Sequence, residues 1–207
     1  EVVERFAASQ IGHASHHRHI DPTTLNQTNR ELVAQLEGAG VDTLCIDISP
    51  SPELPAVKAI CSDRLHGYRH LLVGGQAARL DPQAAIESAI LEAIQSRAVG
   101  IQGAREDLER HRDDWDDAEE IGRARFEFLR RSYASQAPSE LIHRRSPQTS
   151  TTGEALFELL SRCAPLGPGP LYWCDLSDPA LPFFVTHVSI TGLWDTFIDP
   201  ARMKVSA

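Results

Sequence analysis

PQAAIESAILEAIQSRAVGIQGAREDL, residues 82–108, is the longest uninterrupted helix signal in the chain, and its phase decides what the rest folds around. Ile86, Ala89, Ile90, Ala93, Ile94 and Ile101 recur at helical spacing, so one side of this helix must be buried. Arg97 falls in the middle of that side. A guanidinium among isoleucines snorkels, pairs with a buried carboxylate or binds an anion, and the pattern alone leaves all three open. Glu92 and Gln95 sit about 60° apart on another face, where both can reach one ligand. Asp81 and Pro82 supply a cap and a first-turn proline, and Gly100 with Gly103 closes the segment.

Upstream of this helix, residues 29–40 read as an amphipathic helix closed by glycines, and DTLCIDI at 42–48 as a strand entering a sheet. Pro50, Pro52 and Pro55 break the chain before a second strand at 56–61. A third strand, YRHLLV at 68–73, delivers the chain through Gly74 and Gly75 to the central helix. Downstream, 104–135 reads as a long charged helix with Leu108, Trp115, Ala118, Ile121, Phe126 and Leu129 as its inner stripe. Residues 136–152 form a polar connector, expected to be mobile. A short helix at 153–163 and strands at 171–176 and 183–190 follow. The segments Cys45-Ile46-Asp47-Ile48-Ser49 with Leu54-Pro55 and Cys174-Asp175-Leu176-Ser177 with Leu181-Pro182 echo each other. Two strand-turn-strand units, each preceded by a helix, point to a mixed α/β (α+β) chain with two-lobed, pseudo-symmetric sheets and helices packed on them.

The 207 residues suffice for one domain with a real core, and 42% hydrophobic with 24% charged residues is ordinary for a soluble protein. A formal net charge of -9 argues against general nucleic-acid or anionic-membrane binding. No apolar run is long enough to span a bilayer. Cys45, Cys61, Cys163 and Cys174 lack CxxC spacing, and Cys45 and Cys174 lie in apolar runs, so they read as buried reduced thiols of a cytoplasmic protein. EVVERFAAS at 1–9 reads as a helix carrying Glu1, Glu4 and Arg5 together on one side, a pattern that by itself describes an ordinary solvated face. His13, His16, His17 and His19 follow in a polar stretch that reads as an exposed loop without a scaffold for metal.

The order of these segments resembles the YcaO family, and more narrowly its TfuA-associated members. The resemblance is carried by EVVER at 1–5, HIDPTT, AGVDTLCIDIS ending at Ser49, LPAVKAI, DPQAAIESAILEAIQSRAVGIQGAREDL and the closing WCDLSDPALPFFVTHVSITGL. It implies the carboxyl-terminal portion of a YcaO domain, incomplete at its amino terminus, in an enzyme that uses ATP and Mg2+ to activate a backbone amide of a peptide or protein by phosphorylation. The product is then a thioamide or an azoline ring; the chain ends RMKVSA, without the Pro-rich PxPxP terminus of azoline-forming members, which leans the expectation toward the thioamide. The resemblance assigns Glu1, Glu4 and Arg5 to the magnesium and the phosphates. Arg97 is a further candidate for the phosphates because a buried guanidinium needs an anion, and Glu92, for magnesium, and Gln95, for the phosphates, follow more weakly from their place in the helix motif. Such chemistry asks for carboxylates that hold the metal and cations that offset phosphate charge. It also implies a peptide or protein substrate and a TfuA-like partner. A homodimer is compatible with the hydrophobic positions, and a non-catalytic YcaO-like scaffold that binds peptide without ATP is the competing reading. A chain holding half of the site is expected to bind ATP poorly by itself.

Overall fold

The computed structural model describes residues 17–64, 72–102, 116–144, 146–166 and 171–190. Its main body is a four-stranded antiparallel sheet in the order β1 (Arg18–His19), β2 (Val41–Asp47), β3 (Ala56–Asp63) and β4 (Leu72–Ala78). Alternation along β3 explains why its sequence shows no polar face. Val57, Ala59 and Cys61 point into one core, while Ala56 and Ile60 point into another on the opposite side. The first core is covered by α1 (Gln27–Gly38) and α2 (Pro82–Gln102), the second by α3 (Asp116–Ala134) through the buried Phe126 with Leu129 and Tyr133.

The central helix starts where its sequence says. Asp81 caps it, accepting from the Ala84 amide at 2.8 Å, and Pro82 occupies the first turn. Ala85, Ile86, Ala89, Ile90 and Ala93 are fully buried against the sheet. Each of the two isoleucines contributes about 1.5–3 kcal/mol of transfer energy, and the alanines let the helix come close. How close is set by Gly75: a Cβ there would stand 2.3 Å from both the Ala89 carbonyl oxygen and the Ala93 amide nitrogen. Gly74 and Gly75 are therefore part of β4 and not the expected connector to α2; a strand under a closely seated helix has a use for a missing side chain. The last expected positions of the helix signal, 103–108, and the side chain of Ile101 lie outside the described residues.

Several other expectations are corrected. Part of the histidine stretch is a strand: His17 is buried, and Arg18–His19 pairs with Asp47 and Ile46. The polar connector packs into the protein, with Leu141 in the first core and Ser139 buried, because its hydroxyl and backbone groups satisfy polar atoms at the sheet edge. Cys45, Cys61 and Cys163 are buried free thiols, but Cys174 is exposed, since its strand has no layer over it among the described residues. Of the long charged helix, Asp116–Ala134 is helical; Leu108 and Trp115 lie outside the described residues. The short helix α4 (Thr152–Cys163) carries a capping box between Thr151 and Glu154.

The sequence echo is a structural repeat. In the hairpin β2–β3, Ser49 donates its amide to Asp47 Oδ1 at 2.9 Å, and its Oγ accepts from the Ala56 amide at 3.1 Å. In the second sheet, a hairpin of β5 (Leu171–Asp175) and β6 (Thr186–Ile190), Ser177 donates to Asp175 Oδ1 at 2.9 Å and accepts from the Val185 amide at 2.9 Å. The following residues match too: Ile48 donates to the Ala56 carbonyl at 2.9 Å and Leu176 to the Val185 carbonyl at 2.8 Å. The aspartate fixes the turn by accepting the amide two residues on, and the serine bridges the two strands. One copy is buried and the other is open to solvent.

Candidate active site

The sequence-assigned residues divide into three groups. Glu1, Glu4 and Arg5 lie outside the described residues. Glu92 and Gln95 are exposed on α2, on a side that faces away from the first core, as their phase requires. Glu92 reaches the edge of the sheet, where its Oε2 accepts from the Gln76 amide of β4 at 3.1 Å. This contact pairs a backbone donor at the outer edge of β4 and pins the carboxylate beside the strand. It engages one carboxylate oxygen, which leaves the other for a cation.

Arg97 stands apart. Its Nε donates to both carboxylate oxygens of Asp63, at 3.0 and 3.1 Å, at the end of β3. Asp63 is 6% exposed, so the second of the three readings of this guanidinium, pairing with a buried carboxylate, is the one found. The reasoning that a buried guanidinium needs an anion holds, and the chain supplies the anion itself. At about 100° per residue Arg97 is about 160° around the helix from Gln95, so the structure does not bring these two together.

A polar cluster at the junction of β1, β2 and the connector escaped the sequence reading. Asp47, 8% exposed, binds Ser49 through Oδ1, and through Oδ2 it accepts from Ser139 Oγ at 2.6 Å and Arg144 Nη2 at 3.3 Å. Ser139 in turn accepts from the Leu141 amide at 2.9 Å, and its own amide donates to the His19 carbonyl at 2.7 Å. With its hydroxyl already donating to Asp47, Ser139 is a joint of the fold and not a nucleophile. The available signal was the Asp-x-Ser echo; its partners 92 and 97 residues downstream have no pattern in one sequence.

The donor set tests the fit to a magnesium nucleotide. Among the described residues no group of three or more His, Cys, Asp or Glu side chains is placed to hold a metal ion. Of the three carboxylates expected to hold the metal, Glu92 lies among the described residues, and Glu1 and Glu4 belong to the stretch not described. No helix among the described residues is long and apolar enough to cross a membrane.

The profile of the YcaO cyclodehydratase family, described as ATP- and Mg2+-binding, matches residues 1–194. A protein of Methanothermobacter thermautotrophicus described as uncharacterized is 28% identical over 178 residues, 83% of this chain and 44% of that protein. An uncharacterized protein in the tfuA 3' region of Rhizobium leguminosarum bv. trifolii is 27% identical over 212 residues, 93% of this chain and 47% of that one. The chain therefore spans about half the length of these curated relatives. Among solved structures, a heterocyclase in complex with substrate and cofactor matches with a TM-score of 0.70 at 16% identity, over 94% of this chain and 26% of its own. The heterocyclase TruD matches at 0.62 and 17%, over 93% and 26%, and the E. coli microcin synthetase McbBCD complex with pro-MccB17 bound at 0.52 and 16%, over 91% and 48%. These likenesses show a shared mixed α/β fold. With a family profile that covers nearly all of the chain and a fold common to solved heterocyclases, the chain belongs to the YcaO family.

Proposed function

We propose that this chain is part of an enzyme that activates a backbone amide of a peptide or protein with ATP and Mg2+, giving a thioamide, with an azoline ring as the second product. The carrying observation is the family match over residues 1–194, which contains both Glu1-x-x-Glu4-Arg5 and the exposed Glu92-x-x-Gln95. In such a reaction a nucleophile adds to the amide carbon, the amide oxygen takes the γ-phosphoryl group of ATP, and that oxygen departs within phosphate. Sulfide as the nucleophile replaces oxygen by sulfur; a neighbouring Cys, Ser or Thr side chain closes a ring with net loss of water. The location of one relative in a tfuA 3' region supports the thioamide and a TfuA-like partner.

Glu1, Glu4 and Glu92 are assigned to hold the metal, and Arg5 and Gln95 to bind the phosphates. Arg97 takes a different place in this reading: its ion pair with Asp63 fixes the rotation of α2 and thereby the outward side that carries Glu92 and Gln95. The test uses the full-length enzyme with ATP, a sulfide source and candidate peptides, read by mass spectrometry. Exchange of oxygen for sulfur supports the thioamide, loss of water the azoline, and no product under either condition overturns both. Glu92→Gln is expected to lower turnover by at least about tenfold, the scale of losing a charge-assisted contact. Arg97→Ala should lower stability and leave the KM for ATP unchanged; a raised KM would return Arg97 to the phosphates.

A further inference from the structure

Lys58 is a cation that the described residues do not neutralise. The chain has two lysines, Lys58 and Lys204, against eighteen arginines, and Lys58 sits in the middle of β3. Strand pairing places it between Ile46 of β2 and Gln76 of β4, on the side of the sheet covered by α3. Gly74 leaves room beside it: a Cβ there would meet the Lys58 Cε at 3.7 Å. Burial, and after it the positive charge of Arg125 on α3, lower the proton affinity of Lys58. Neither Lys58 nor Arg125 makes an ion pair or hydrogen bond among the described residues. Two described carboxylates of β2 and α3 are already engaged, Asp42 by Arg64 at 3.3 Å and Glu127 by Arg130 at 2.8 Å.

Phe126, next to Arg125, packs in the core that holds Ile46 and Ile60 beside Lys58, so the two cations share this side of the sheet, and without a carboxylate that is a cost unless an anion joins them. We propose that Lys58, Gln76 and Arg125 form an oxyanion site on the α3 side of the sheet that takes a phosphoryl group. The ammonium supplies a compact charge on a half-buried stem, the guanidinium a planar pair of donors, and the amide of Gln76 an orienting donor. A pair of cations matches a phosphate dianion better than a single carboxylate. The site lies on the opposite face of the sheet from the core beneath α2, and it stands whether or not Glu92 and Gln95 bind a nucleotide.

The low lysine count makes the test direct. Biosynthetic labelling with 13C-lysine gives ε-methylene signals from Lys58, Lys204 and any lysine outside these 207 residues, and Lys58→Gln assigns the first. Inorganic phosphate, added at constant ionic strength, is expected to shift the Lys58 signal saturably and leave Lys204 in place. Arg125→Gln, an exposed substitution, should weaken that binding about tenfold. A second titration with ATP separates the sources: saturation by ATP at lower concentration than by phosphate, retained in Glu92→Gln, assigns the site to a nucleotide phosphate, and the reverse order assigns it to free phosphate. A Lys58 signal that answers to neither ligand, or that moves equally with chloride, overturns the proposal.

Discussion

Cys45 and Cys174 begin the two echoed segments, yet they occupy opposite environments, and their reactivity should differ accordingly. Burial, with the neighbouring Cys61 adding to it, pushes the Cys45 thiol up to about 12, and burial also raises Cys61 and Cys163. Cys174 is exposed. A thiol reagent should therefore modify Cys174 promptly in the native protein and the three buried thiols only on unfolding, which a native against denatured thiol titration reads directly. The same shift has a pH consequence. Between the ordinary 9.0 and about 12 the unfolded chain gives up the Cys45 proton while the folded chain keeps it. The folded state then binds more protons, so stability falls as pH rises through this window. Cys45→Ala should flatten that decline in urea melts taken across it.

At the scale of elements, the repeated Asp-x-Ser turn provides an internal comparison. Ser49→Ala removes the acceptor of the buried Ala56 amide and a partner of Asp47, and should cost about 1–3 kcal/mol. Ser177→Ala makes the same deletion in solvent and should cost about 0.5–1 kcal/mol; equal losses in urea unfolding would show that burial does not set the difference. Gly75→Ala drives a methyl into the backbone of α2 and should cost about 1–3 kcal/mol or more. Gly74→Ala, whose nearest contacts would be 3.6 and 3.7 Å, should cost less. These elements were legible to different degrees. The period of isoleucine and alanine gave α2 its start and buried side, and β2 and β3 followed from their β-rich runs between prolines. The extent of β4 did not follow, because two glycines read as a turn until the helix above them is known. The connector misled because its composition is polar, while its buried Ser139 and Leu141 answer to a carboxylate and a core far away in sequence. For the candidate site, the outward phase of Glu92 and Gln95 was readable from spacing, whereas the partner of Arg97 depended on where β3 ends.

At the scale of the whole molecule, the second hairpin carries Tyr172, Trp173, Leu176, Phe183 and Phe184 in the open, with Phe184 92% exposed. A two-stranded hairpin is marginal in water without a layer over it, and so much apolar surface favours association. Sedimentation of the isolated 207-residue chain should show concentration-dependent association that Phe184→Ser reduces; a strictly monomeric chain would contradict this. The contact between Gly75 and α2 has a further consequence. Because the backbone of the helix rests directly on the strand at Gly75, with no side chain between them at that point, α2 is held there against rolling or sliding by small steps. Glu92 and Gln95 therefore present a fixed spacing to any ligand, and the ordering cost of that arrangement is met on folding instead of on binding. A substitution at Gly75, whose nearest neighbours are the backbone of α2 at Ala89, Glu92 and Ala93, would then appear in binding measurements as a loss of affinity with an entropic origin.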